Sequence, residues 1–150
     1  MLCAMKRLHT FVIAALLLVG APASWAEPVK STRTVAVKNR IVFQVSEDDT
    51  KKWNSVLGNI HNIQYDLAKE GVAVTLVAIG PGLGMLTADS LVANRVQDAM
   101  AEGVRFVACG NSMEAQQIEK DDLVPGTQTA KAGYVEVMRL QQQGWVYLRP

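Results

Sequence analysis

Residues 72–79, Val-Ala-Val-Thr-Leu-Val-Ala-Ile, constrain this chain more than any other feature. A strand with one wet face alternates apolar and polar residues. This run is almost continuously apolar, the habit of a strand buried on both faces of a parallel sheet. Parallel neighbours cannot be joined by tight turns and need crossovers, usually helical. Upstream, Trp53, Val56, Leu57, Ile60, Ile63 and Leu67 recur at three- and four-residue spacing, one face of an amphipathic helix over residues 50–70 that Gly71 closes. Residues 41–45 are β-branched and aromatic and read as a strand, and residues 46–49 supply turn chemistry and capping oxygens for the helix after it.

The same grammar continues downstream. Residues 80–84, Gly-Pro-Gly-Leu-Gly, form a glycine-rich loop. A second helix is expected from residue 87 or 89 to 102, a third strand at 104–108, a turn at 109–112 and a short helix at 113–118. Residues 121–126 read as a surface loop, 134–143 as a last helix capped by Gly144, and 145–148 as a final strand. This order predicts an α/β fold, a three-layer sandwich with a mainly parallel sheet of four to five strands flanked by helices joined right-handedly.

The N-terminus sets the compartment and the count of thiols. Lys6 and Arg7 precede an uncharged apolar run over residues 11–19, and Ser24-Trp25-Ala26 places small residues at a cleavage site. The run is shorter than the roughly 20 residues that span a bilayer. Residues 1–26 are therefore read as a signal peptide, 27–39 as a flexible lead-in and 40–150 as a single domain, exported to a bacterial periplasm with no membrane attachment after cleavage. Cleavage removes two of the 15 cations and leaves one fewer than the 14 Asp and Glu, with no basic cluster, so nucleic acid is excluded as a partner. Cys3 leaves too. Cys109 remains alone, and an intramolecular disulfide is impossible.

Ligands of an open parallel sheet bind beyond the carboxyl ends of its strands. That edge collects Ser46, then Gly80, Pro81 and Gly82, then Cys109, Gly110, Asn111 and Ser112. A cysteine where a strand hands over to a helix start has amide N–H groups and the positive end of the helix dipole to favour its thiolate. The plainer alternative is a buried, inert core thiol. The glycine-rich loop lacks the spacing of a dinucleotide fingerprint and the Gly-Lys-Ser/Thr of a P-loop, so no nucleotide cofactor is expected. His61 is the only histidine after the leader and lies off the apolar stripe. One His and one Cys make no metal site. Asp48-Asp49 and Asp121-Asp122 read as capping and solvated loop residues.

The segments 59–62 (Asn-Ile-His-Asn), 77–83 (Val-Ala-Ile-Gly-Pro-Gly-Leu), 106–113 (Phe-Val-Ala-Cys-Gly-Asn-Ser-Met) and 137–148 carry a resemblance to the DsrE/DsrF-like (YchN-like) family, in particular its small exported members. The resemblance spans residues 40–150 and implies a DsrEFH-like sandwich that forms homo-oligomers, trimers or hexamers. No cofactor is expected. The resemblance also implies that Cys109 carries sulfur as a persulfide, as a sulfur carrier or sulfurtransferase, with a donor or acceptor protein as partner and with His61 and Asn62 as auxiliary candidates. A non-enzymatic oligomeric module that binds a small ligand or senses redox state is the alternative. Expressed with its leader in a bacterium, the chain should accumulate in the periplasmic fraction with Glu27 as its first residue. Intact mass checks this, and a product retaining residues 1–26 contradicts it.

Overall fold

The computed structural model describes residues 37–150; the expected leader at 1–26 and the lead-in as far as residue 36 lie outside them. β1 (Asn39–Val45) and β2 (Val72–Ala78) pair over their whole length, from Asn39 opposite Val72 to Val45 opposite Ala78. β3 (Arg105–Cys109) joins the other side of β2, and β4 (Gln128–Ala130) joins β3 with Cys109 opposite Ala130. β5 (Val146–Leu148) lines the remaining side of β1. Every pairing is parallel, and the sheet order is β4-β3-β2-β1-β5. The expected sandwich is the observed one.

Strand order decides where the helices lie. From β1 to β4 the chain steps steadily one way, through α1 (Thr50–Asp66), α2 (Ala93–Ala101) and α3 (Gly110–Gln116). It then returns across the sheet to β5 through α4 (Gly133–Gln142). Right-handed crossovers made in opposite directions fall on opposite faces. Accordingly Val56 and Ile60 of α1, Val96 of α2 and Met113 of α3 pack with Phe43, Leu76 and Phe106 on one face. Val137 and Leu140 of α4 pack with Val42, Val77, Val107 and Cys109 on the other. Leu76 and Val77 are both fully buried though they point to opposite faces, as the unbroken apolar run predicts. Burying each such side chain stabilises the fold by roughly 1.5–3 kcal/mol.

Local chemistry closes the elements. Asp49 caps α1, its carboxylate accepting from the N–H groups of Lys51 and Lys52 at 2.8 and 3.2 Å. The short edge strand β5 is held by side chains: Tyr147 donates to Gln44 Oε1 at 3.0 Å, and Arg149 pairs with Glu47 at 2.8 Å. The Arg149 guanidinium, helped by the Ser46 N–H and Lys52, holds the Glu47 carboxyl at about 2.

Several boundaries differ from expectation, each for a physical reason. α1 ends at Asp66, and Gly71 (φ +77°) closes the chain with its N–H on Leu67 O instead of capping a helix that reaches residue 70. The glycine-rich stretch is a 3-10 segment, Gly80–Leu86, with Pro81 in its first turn, where the missing N–H costs nothing. α2 starts only at Ala93, because Thr87 is bridged to Leu123 and Ala88 N–H is bonded to Asp122 O. That bridge buries Leu123 and Val124, so residues 121–126 are no simple surface loop. The turn expected at 109–112 is absent: Cys109 ends β3, and α3 begins at Gly110. β4 was not expected at all.

Gly82 shows how tightly the 3-10 segment meets β1. A Cβ there would lie 2.5 Å from Val45 O and 2.9 Å from Ser46 N, both backbone atoms that cannot move aside cheaply. Gly82→Ala should lower unfolding free energy by about 1–3 kcal/mol. Gly58→Ala, inside α1 where a Cβ meets nothing within 4 Å, should raise it by roughly 0.5–1 kcal/mol. Urea denaturation of the two variants checks the contrast.

Candidate functional site

Cys109 is the only cysteine among the described residues and the last residue of β3. Its parity with Val107 points it to the α4 face, beneath the first turn of α4. The fold therefore brings two helix starts to one sulfur, not one. From α4, the Gly133 N–H donates to Cys109 Sγ at 3.2 Å. At the start of α3, the Ser112 hydroxyl and the backbone of Ser112 and Asn111 also favour the thiolate, while the Asn111 N–H donates to Lys131 O at 3.1 Å. The Ser112 oxygen accepts from Gly80 N–H at 2.8 Å, and its hydroxyl proton remains available to a second partner. Gln116 fixes the same loop through Gly80 O, at 2.8 Å.

These groups compete over the charge of the sulfur. Burial pushes the Cys109 thiol up, since the residue is only 4% exposed. The Ser112 hydroxyl and the backbone of Gly133, Ser112 and Asn111 push it down, and together they prevail: the thiol lies below the ordinary cysteine range. The wall around the sulfur is therefore not hydrocarbon alone. Ile79, Val107 and Val137 line it on one side and hydrogen-bond donors on the other.

Gly133 completes the site, and sequence reasoning missed it. A Cβ at residue 133 would lie 2.7 Å from Ile79 Cγ1 and 3.0 Å from Cys109 Cβ, so only glycine brings this N–H onto the sulfur. The requirement arises from an approach between residues 24 positions apart. The only local sign is a glycine at the head of an apolar helical pattern.

Of the residues expected at this edge, Gly80, Gly110, Asn111 and Ser112 gather around Cys109, with Ser112 buried and Asn111 exposed. Pro81 is exposed, and Gly82 is buried against the end of β1. Ser46 belongs to a neighbouring network instead, its hydroxyl accepting from Gln44 Nε2 at 2.7 Å on a strand two places from β3. His61 and Asn62 are exposed on α1, which packs on the sheet face opposite Cys109. His61 Nδ1 instead lies 3.7 Å from Glu102. Neither residue is part of the cysteine site.

A groove of about 300 Å³ opens one strand from Cys109, lined by Asn111, Ala130, Lys131, Ala132, Val135, Glu136 and Arg139. A larger depression of about 530 Å³ lies at the opposite edge of the sheet, beside Tyr65 and the start of β2 at Val72, and is lined by no cysteine. Among the described residues no group of His, Cys, Asp and Glu is placed to hold a metal ion.

Comparison with known proteins gives this geometry a context. The model of the DsrE/DsrF-like family matches residues 59–150. Protein MTH1491 of Methanobacterium thermoautotrophicum, described as of unknown function, is 35% identical with a TM-score of 0.72, covering 75% of this chain and 99% of its own. The ychN protein of E. coli shares the fold at 13% identity and a TM-score of 0.59, over 75% of this chain and 99% of its own. BT1422 of Bacteroides thetaiotaomicron, also of unknown function, does so at 11% and 0.63, over 75% and 95%. No curated protein matches the chain.

The donors around the sulfur make its acidity testable. The rate of Cys109 alkylation by iodoacetamide should rise with pH through a midpoint below that of the unfolded chain. Ser112→Ala should move that midpoint up, because it deletes the first of the donors that oppose burial. Since folding favours the thiolate, its contribution to stability is present above the unfolded thiol's range and fades as pH falls through the lowered native value. Coincident native and unfolded midpoints contradict the assignment.

Proposed function

The chain belongs to the DsrE/DsrF-like family, and on that premise we propose that it carries sulfane sulfur on Cys109 as a persulfide, in the bacterial periplasm. The observation that carries the reading is the Gly133 N–H donating at 3.2 Å to one buried sulfur, whose thiolate the Ser112 hydroxyl and the start of α3 also favour. A sulfur carrier needs a thiolate at working pH and shelter for its product. The lowered Cys109 thiol favours the first. The depth of Cys109, only 4% exposed, supplies the second.

The transfer balances without an added oxidant. The Cys109 thiolate attacks the outer sulfur of a donor R–S–SH, a Cys109 S–S bond forms, the donor S–S bond breaks, and R–S⁻ leaves with the electron pair. The proton stays with the transferred sulfur. An acceptor thiolate reverses the step, regenerating Cys109. Sulfur moves between thiols, and a partner protein's thiol can supply or take it by the same exchange.

Assembly is part of the proposal. The outer side of α4 exposes Tyr134, Val135 and Met138, and β5 exposes Val146 and Leu148, an apolar surface that supports a homo-oligomer, a trimer or hexamer. The depth of Cys109 also favours a second reading, a non-enzymatic module in which the sulfur only lines a ligand site; it speaks against redox sensing through a disulfide between chains. After incubation with thiosulfate or polysulfide, intact mass should show one sulfur atom added to the native protein, none to Cys109→Ser, and its removal by an acceptor thiol. Light scattering should give the same oligomer for both proteins. An unchanged native mass, or equal addition to the variant, overturns the carrier reading in favour of the binding module.

A further inference from the structure

Charge is distributed unevenly around the groove beside Cys109. Its floor is Ala130, whose backbone is the in-register neighbour of Cys109, so the floor lies one strand spacing, about 4.8 Å, from the cysteine row. Lys131 and Arg139 stand at its margin and have no ion-pair or side-chain hydrogen-bond partner among the described residues. The one acid there is already occupied: Glu136 Oε1 takes the Arg105 guanidinium at 2.9 Å, and Arg105 is held in turn by Thr75 Oγ1 at 3.1 Å. Two cations are thus left uncompensated, in a chain whose described residues hold more Asp and Glu than Lys and Arg. By contrast, the depression beside Thr87 and Ile118 is lined by three acids, Asp89, Asp121 and Asp122, and no cation.

Resting on the sulfur-carrier reading, we infer that this groove is an anion subsite that takes the carboxylate of a small thiol-derived donor while its sulfur reaches Cys109. The volume of about 300 Å³ fits a small molecule and excludes a folded partner. Arg139 offers a planar fork suited to a carboxylate, Lys131 a mobile point charge, and Asn111 a neutral amide. Val135 gives the groove one apolar wall, against which the carbon skeleton of the donor rests. Held at this distance, a donor a few bonds long has its sulfur at Cys109 while its charged end stays in the groove. After transfer, the departing thiolate leaves with the carboxylate.

The test compares the persulfide of N-acetylcysteine, which carries the carboxylate, with that of N-acetylcysteine amide, which is neutral. Read as the rate of sulfur addition to Cys109 by mass, the charged donor should be favoured about tenfold at low salt, the lower end of electrostatic rate enhancement. Added salt and the double variant Lys131→Gln/Arg139→Gln should each bring the ratio near unity, while Lys120→Gln, outside the groove, retains it. Equal rates in the native protein, or a preference that survives the double variant, overturn the subsite. A second arm needs no sulfur transfer: S-methyl-N-acetylcysteine added to the Cys109→Ser protein should shift the amide resonances of Asn111, Lys131 and Arg139, and its amide analogue should not. Shifts without sulfur loading of the native chain sink the carrier reading and leave the subsite standing. Loading without charge-dependent shifts or rates does the reverse.

Discussion

Five strands running the same way leave this chain little freedom. None can be joined to the next by a hairpin, so each connection must travel back over a face of the sheet, and both faces end up covered. Because β1 lies between β2 and β5, the last crossover returns on the face that the earlier helices leave bare. α4 covers that face with Val137 and Leu140. All strand ends with outgoing carbonyls meet at one edge, where the starts of the following helices meet as well. Placement of a reactive group at that edge is a result of topology before any chemistry is considered.

The sulfur of Cys109 shows what this placement achieves. Its strand alone would leave it a buried thiol in an apolar layer, and burial by itself makes a thiol less acidic. The start of α4 donates the Gly133 N–H to the sulfur, and the Ser112 hydroxyl and backbone at the start of α3 favour the thiolate from the other side. Gly80 matters here through Ser112: its N–H donates to the hydroxyl oxygen and holds that side chain in place. The glycine-rich stretch is thus a support for the thiol and holds no phosphate-binding pattern.

The layers of the fold were legible wherever periodicity was strong. The unbroken run of β2, the helical spacing of Trp53, Val56 and Ile60, and the apolar β1 all gave the right element in the right order. β4 was invisible because Gln128, Thr129 and Ala130 form a short, largely exposed edge strand, with no apolar alternation to betray it. The late start of α2 and the burial of Leu123 and Val124 depend on a bridge between Thr87 and Leu123, a long-range contact with no local signature. Within the site, Cys109, Gly110, Asn111 and Ser112 could be read because they are consecutive. Gly133 could not, since its role comes from the distance between two elements, and His61 and Asn62 were misplaced because sequence proximity to a matching segment does not reveal which sheet face a helix covers.

α4 has two duties that its sequence cannot separate. Val137 and Leu140 seat the helix on the sheet, and the same seating sets how closely the Gly133 N–H approaches the sulfur. A substitution one or two turns along the helix, far from any reacting atom, would tilt its first turn and weaken that hydrogen bond. Drift in the packing of this layer therefore registers as drift in nucleophilicity, so that folding robustness and chemical reactivity are inherited together through one helix.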